Sequence, residues 1–305
     1  MKFYSLVILL LASKLFADTV PVCKVPPKEV DATKSKIDIK HVKNDRSKDS
    51  MQDWLDDAFG LKPYKANYIL PFGVASKAYE SHQPSVIQYD NKEAELQVSL
   101  KLEIMHSLFG LNEKYYVAYT QQAFWQIYIK SAPFRENLYN PEAFVVFPIS
   151  DNQSIFHMRS FKFAIAHKSN GQPDTTNVSG FTTNLSKSIN YFYGTLRLQH
   201  ETLITDLTLL LPFPGSRNLN DNPDLMKYLG YTQAKFIYFY NEHMFSLKVR
   251  GNLDSMKGAL EATYSYPLRK DKSYLYMKFF SGYVESLIDY NKNITKFSIG
   301  FSFSR

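Results

Sequence analysis

From about residue 64 to its end, this chain alternates apolar and polar side chains with a period of two. In LQVSLKLEI, Val98, Leu100, Leu102 and Ile104 stand on one parity, and Gln97, Ser99, Lys101 and Glu103 on the other. In LITDLTLLL, Thr205, Leu207, Leu209 and Leu211 alternate with Asp206 and Thr208. The same holds for Leu247 and Val249 against Ser246, Lys248 and Arg250, and for Leu260, Ala262, Tyr264 and Tyr266 against Glu261, Thr263 and Ser265. The last segment sets Phe297, Ile299, Phe301 and Phe303 against Lys296, Ser298, Gly300 and Ser302. A strand sends successive side chains to opposite faces, so each segment reads as a strand with one apolar and one polar face. Turn signals such as Asn241-Glu242 and Lys270-Asp271-Lys272 separate them. Each segment is about ten residues long and there are about twelve, an even number, as in an outer-membrane barrel. The pattern predicts an all-β fold, an antiparallel transmembrane β-barrel with its apolar face in lipid and its polar face lining a lumen. A soluble β-sandwich or a lipocalin-like barrel would instead turn the apolar face inward. The polar faces carry mixed charges with few long loops, which suits a polar lumen.

The start of the chain also favours the membrane. Lys2 precedes the apolar run Leu6–Ala12, and small residues follow, as in a secretory leader. The run is too short to span a bilayer. Cleavage is expected after Ala17, although Leu15 is not the usual small residue two positions earlier; a buried first strand is the other reading. The expected organisation is a leader over 1–17, a polar periplasmic segment over 18–60 with a short helix near Gln52–Phe59, and the barrel over 61–305. Cys23 is the only cysteine, which excludes an intramolecular disulfide. Val20, Pro21 and Val22 before it are not the small residues a lipoprotein leader needs. Losing Lys2 and Lys14 with the leader lowers the formal charge from +7 to +5. Such a charge suits anionic lipid or lipopolysaccharide better than nucleic acid, because the expected leader would export the chain. With Tyr 22, Phe 23 and only Gly 12, the composition fits aromatic girdles at two membrane interfaces.

The outer face carries polar residues that a lipid-facing wall does not need. In FKFAIAHKSNG, Phe161, Phe163, Ile165, His167 and Ser169 share the apolar parity, while Lys162, Ala164, Ala166 and Lys168 take the other. Serine becomes a useful nucleophile only when a base takes its proton, and histidine is the usual base. The two lie roughly 6.6 Å apart along a strand at ~3.3 Å per residue, a gap that a bend at Asn170-Gly171 would close. The plainer reading is a polar strand end at the membrane interface. In SKSINYFYGTLRLQ, Thr195, Arg197 and Gln199 define the lumen face, so Asn190, Phe192, Gly194, Leu196 and Leu198 face lipid. The chain turns back between the two strands, so Asn190 comes to the same membrane end as His167, where its side-chain oxygen can accept from the ring. The plainer reading puts Asn190 beyond the hydrocarbon. Gln121 shares the parity of Tyr115, Val117 and Tyr119. A glutamine in hydrocarbon is costly unless paired, and a second copy of the chain would pair it.

Several stretches resemble the outer membrane phospholipase A family of calcium-dependent Gram-negative lipases. They are PYKANYI, YTQQAFWQ, SAPFREN, HKSNG, SKSINYFY, DNPDLMKYLGY and SGYVESLIDYN, and the resemblance as a whole covers the chain from about Asp56 to the last strand. The resemblance implies a twelve-stranded outer-membrane barrel that becomes active as a homodimer. Its site would lie on the outer wall at the outer-leaflet edge, where it hydrolyses acyl esters of phospholipids and lysophospholipids. It implies Ser169 as nucleophile, His167 as base and Asn190 as third member. It implies calcium held by Gln172 through its backbone carbonyl, by the Ser186 hydroxyl, and by Ser131 from the other subunit, with Asp221 a further calcium-associated acid. Gln121 would stand in the dimer interface.

The chain departs from that family in three places. Gln172 replaces the usual arginine, which a backbone-carbonyl ligand would survive. The loop 173–185 is longer than the family pattern. The chain ends FSFSR instead of in an aromatic residue. Two other functions compete with the lipase. One is a non-enzymatic porin or adhesin barrel, which predicts conductance or ligand binding. The other is a soluble periplasmic lipid-binding barrel, which predicts extraction without detergent.

Overall fold

The computed structural model of the chain describes Arg46, Met51 and residues 60–80, 88–149, 157–176, 182–215, 219–269 and 273–305. Arg46 and Met51 are helical. The expected leader and the expected helix near Gln52–Phe59 lie outside the described residues.

The wall is built from β1 (Leu61–Pro63), β2 (Asn67–Ala75), β3 (Lys92–His106), β4 (Lys114–Trp125), β5 (Phe134–Pro148) and β6 (Met158–Ser169), then from β9 (Ser188–His200), β10 (Leu203–Pro212), β11 (Thr232–Tyr240), β12 (His243–Asn252), β13 (Lys257–Arg269), β14 (Ser273–Gly282) and β15 (Ile294–Ser304). A two-stranded flap, β7 (Thr175–Thr176) with β8 (Thr182–Thr183), and a short helix, α1 (Leu225–Leu229), sit in the loops. Every wall pairing is antiparallel; β15 returns to β2, and β3 pairs with both β2 and β4. β1 and β2 lie end to end along the same edge of β3, so the sheet closes as a barrel of twelve staves. Closure removes the unpaired edges that would otherwise be left in hydrocarbon.

The two ends of the barrel differ. Both chain ends of the wall lie beside the short turns, among them 201–202 and 241–242. The opposite end carries most of the longer loops, 76–91, 126–133, 170–187, 213–231 and 283–293. Short periplasmic turns and longer external loops are the rule for such barrels, so we call the second end the outer end.

The alternation read from the sequence sorts the wall as expected. Phe161, Phe163 and Ile165 are more than two-fifths exposed, while Ala164 and Ala166 on the other parity are buried. The outward face continues through Leu207, Leu209, Leu211, Val249, Phe297 and Phe301. An apolar belt this continuous is foreign to a water-soluble surface and matches hydrocarbon. Near the short-turn end, Tyr238, Tyr240, Phe245 and Tyr266 form part of an aromatic girdle, and His243 Nδ1 lies 2.8 Å from the Tyr264 hydroxyl.

The lumen near the outer end is filled by charge. Arg135 donates to both oxygens of Glu93, from Nε at 2.9 Å and from Nη2 at 3.0 Å. Lys296 donates to Glu93 at 2.7 Å and Lys278 to Glu95 at 2.5 Å. Burying these ions is costly, and bidentate, hydrogen-bonded pairing offsets the cost. A β-bulge helps: the register passes from Phe124↔Glu136 to Trp125↔Phe134, so consecutive Arg135 and Glu136 are both buried. Arg135 Nη1 donates to Ser286 Oγ at 3.1 Å and to Asp289 Oδ2 at 2.8 Å. Glu136 accepts from the Leu287 and Ile288 N–H groups at 2.9 and 2.7 Å. Loop 283–293 is thereby tied across the outer end of the lumen.

Candidate active site on the outer wall

β6 and β9 are neighbours, in a register that places His167 opposite Asn190 and Ser169 opposite Ser188. The shared outward parity of the two residues thus becomes a contact: His167 Nδ1 lies 2.7 Å from Asn190 Oδ1. An amide oxygen can only accept, so the bond needs a hydrogen on Nδ1 and leaves the lone pair on Nε2. His167, Ser169 and Asn190 are all half-buried on the outward side. Ser169 is the last residue of β6. After Asn170 the chain turns at Gly171, whose φ is +62°, and a Cβ there would stand 2.9 Å from the Tyr139 ring. Glycine is required on both counts.

Asn170 holds this turn in place. It is buried, donates from Nδ2 to the Leu185 carbonyl at 2.8 Å, and accepts from the Lys187 N–H at 3.0 Å. On the other side of β6, β5 pairs Tyr139 with Ser169 and Glu142 with Ala166. The same register sets Pro141 opposite His167. Proline has no N–H, so the ladder is interrupted there. The Asn140 side chain supplies a donor instead, from Nδ2 to the His167 carbonyl at 2.8 Å.

The other sequence-predicted residues divide into two groups. Ser186 and Asp221 come together, Ser186 Oγ donating to Asp221 Oδ2 at 3.2 Å. Asn184 Nδ2 donates to the Asp221 carbonyl at 3.0 Å, and Asn222 brackets Ser188 with two 3.0 Å bonds to its backbone. Loop 213–231 is docked in this way against loop 170–187. Gln172 sits at the start of the second loop, its N–H donating to Asn170 Oδ1 at 3.3 Å. Ser131 is exposed on a separate loop, 126–133, with φ of +68°. Gln121 faces outward, accepting from the Tyr119 hydroxyl at 3.4 Å. Its neighbour Gln122 points inward and donates to Glu95 at 2.7 Å, so the adjacent glutamines are split between wall and lumen.

Sequence reasoning missed Asp174, Asn222, Asn170 and Asn140. Asp174 Oδ1 accepts from the Leu185 and Ser186 N–H groups at 2.9 and 3.0 Å, which fixes the serine beside Asp221. Its signal was present in HKSNGQPD, an acid five residues after Ser169. Lys187 closes the cluster; burial pushes its amine below the ordinary lysine range, against the pull of Asp174 and Asp221. Among the described residues, no group of three or more His, Cys, Asp or Glu is arranged to hold a metal ion. The hydroxyl, carboxylate and backbone oxygens gathered here are hard donors, the kind calcium takes.

Fold and site together define a class: a transmembrane β-barrel whose imidazole–amide pair and serine stand on the outside of the wall. The family model described as phospholipase A1 matches residues 43–303, and the chain belongs to that family. Phospholipase A1 of Escherichia coli (strain K12) is 31% identical over 253 residues, covering 80% of this chain and 82% of that protein. The structure of a Salmonella typhi outer membrane phospholipase dimer with bound calcium superposes with a TM-score of 0.71 at 30% identity, covering 81% of this chain and 93% of that one. An active-site mutant of Escherichia coli outer membrane phospholipase A, asparagine to alanine, gives 0.71 at 28%, covering 81% and 92%. The chain is an outer-membrane β-barrel of this family.

Proposed function

We propose that this protein hydrolyses the acyl ester bonds of phospholipids and lysophospholipids from the lipid side of the barrel wall. The observation that carries the reading is the 2.7 Å bond between His167 Nδ1 and Asn190 Oδ1, on the strand face that also bears Ser169. With Nδ1 held by Asn190, Nε2 is free to take the Ser169 proton as Oγ attacks the ester carbonyl. The imidazolium then protonates the departing glycerol oxygen. Water, activated by the same nitrogen, cleaves the acyl-enzyme and releases the fatty acid. A neutral asparagine orients the ring without placing a carboxylate beside hydrocarbon, where a charge is expensive. The related Escherichia coli protein also has an asparagine in its active site.

Calcium fits the donor set at the end of β6. Ser186, Asp221 and the Gln172 carbonyl would hold it, with Ser131 from a second copy, in keeping with the calcium-bound dimer of the Salmonella typhi relative. Bound there, the ion would supply positive charge beside the developing oxyanion. Gln121 would face its counterpart in the second copy, and each would satisfy the other in hydrocarbon. Dimerisation then controls an enzyme embedded in its own substrate, because one copy lacks part of the calcium site.

The porin reading predicts conductance and indifference to Ser169. The tie of loop 283–293 to Arg135 and Glu136 weighs against it. The test is fatty-acid release from phospholipid–detergent micelles. Wild type should be active with calcium and silent with EDTA, and Ser169→Ala should lose several orders of magnitude. A folded, dimeric, calcium-loaded barrel that releases no fatty acid would overturn the proposal.

A further inference from the structure

Beyond the His167–Asn190 pair, the outer wall carries a groove of about 860 Å³ across β9 to β12. Its floor is made by Leu209 and the small side chains around it. Gly194 on β9, Leu209 on β10, Thr232 on β11 and Gly251 on β12 stand at one level of the ladder, with Ala234 one row below. Phe163, Phe192 and Leu211 form the near rim. Phe192 is stacked between Phe163 at 5.9 Å and Phe213 at 4.4 Å, so this rim is rigid. At the far rim, loop 253–256 holds Leu253 and Met256 out of the barrel, both 84% exposed.

We propose that this groove seats the second, non-scissile acyl chain of a diacyl phospholipid whose other ester lies at Ser169. The inference rests on the catalytic reading of Ser169 and His167. Three observations select this occupant. The groove adjoins the site: Phe192 on its rim is two residues along β9 from Asn190, and its partner Ile165 is two residues along β6 from His167. Its near rim therefore begins just inward of the reacting ester, on the path of a chain that leaves the same glycerol. Its length also fits, since three strand spacings of ~4.8 Å span roughly 14 Å. One leaflet of a hydrocarbon core of ~30 Å gives an acyl chain roughly 15 Å. Finally, Leu253 and Met256 stand at the outer end of the barrel, where apolar side chains so exposed would be costly unless they reach back toward lipid. The groove lies on the β9 side of the catalytic strand, whereas Gln121 lies on β4, beyond β5 on the other side. A partner copy docked at Gln121 would leave it open.

The test compares diacyl and monoacyl substrates. Ala234→Phe fills the groove, and Gly194→Leu does so from β9. A Cβ at Gly194 would stand 3.4 and 3.5 Å from the Phe161 ring and 4.0 Å from the Lys162 carbonyl oxygen, all ordinary contacts, so the barrel can accept a side chain there. Both variants should raise KM for a diacyl phospholipid about tenfold while leaving lysophospholipid hydrolysis within about twofold of wild type. Equal effects on the two substrates, or none on either, would overturn the assignment. A wild type inert on both substrates would indict the catalytic reading instead, and a binding measurement then decides the groove. A tryptophan at Ala234→Trp should be quenched by brominated-chain diacyl phospholipid at lower lipid fractions than one at Phe297→Trp on β15. Indistinguishable quenching of the two would remove the groove as a site.

Discussion

The Asn140 side chain and the His167 main chain are joined across two strands: Nδ2 donates to the carbonyl at 2.8 Å, beside the break that Pro141 makes in the ladder. A residue facing the lumen thereby fixes the backbone of a residue facing lipid. Asn140→Leu removes the donor while keeping the volume. It should lower kcat about three- to tenfold with KM little changed, since a lost hydrogen bond of this kind is worth ~0.5–1.5 kcal/mol. Asn140→Gln should recover part of the loss. A change in KM alone would assign the bond to binding and not to positioning.

The Asn190 amide selects which ring nitrogen of His167 carries the hydrogen. Asn190→Ala frees the ring to flip and should reduce kcat at least about tenfold, short of the loss from removing the nucleophile. Asn190→Asp, which keeps the acceptor, should retain more activity than Asn190→Ala. Steady-state rates on one micellar substrate decide the order, and equal rates for the two variants would contradict it.

Gln121 and Gln122 are adjacent but face different environments. Gln121→Leu should weaken calcium-dependent dimerisation and leave the folded barrel intact, a change on the order of 1 kcal/mol for a membrane hydrogen bond. Gln122→Leu should destabilise the barrel, because it strips a donor from buried Glu95, and should leave association unchanged. Analytical ultracentrifugation in detergent and urea unfolding separate the two. The reverse outcome would mean that the faces are misassigned.

The Ser186–Asp221 contact predicts a shift in calcium requirement. Ser186→Ala and Asp221→Ala should each raise the calcium concentration for half-maximal activity about tenfold, with much of the activity restored at saturation. A loss that no calcium concentration recovers would give these residues another role.

Arg135 is the centre of the buried charge cluster and the tether of loop 283–293. Removing it leaves Glu93 without its bidentate partner and should cost ~3–5 kcal/mol of stability. Equilibrium unfolding in urea should show the midpoint fall. If the lumen is sealed at this point, Arg135→Ala should also raise single-channel conductance in planar bilayers.

The sequence alone determined the parity of nearly every strand. Parity is a local property, set by the alternating direction of Cβ along an extended chain. It follows that an all-β membrane wall, its greasy exterior, and the outward placement of His167, Ser169, Asn190 and Gln121 were all legible from residue order. The catalytic roles proposed for the first three, and the calcium roles proposed for Ser186 and Asp221, rest on resemblance to a family, which carries positions and not distances. The register between strands was decided only by tertiary structure. No local pattern says that Pro141 falls opposite His167, that Asp174 grips the backbone of Ser186, or that Gly194, Thr232 and Gly251 align into one groove. The lumen network was hidden for the same reason. Glu93, Arg135 and Lys296 are far apart in sequence, and a polar residue on the inward parity reads the same whether it meets water or an opposite charge. Closure of the sheet makes that choice, because it alone brings β3, β5 and β15 around one interior.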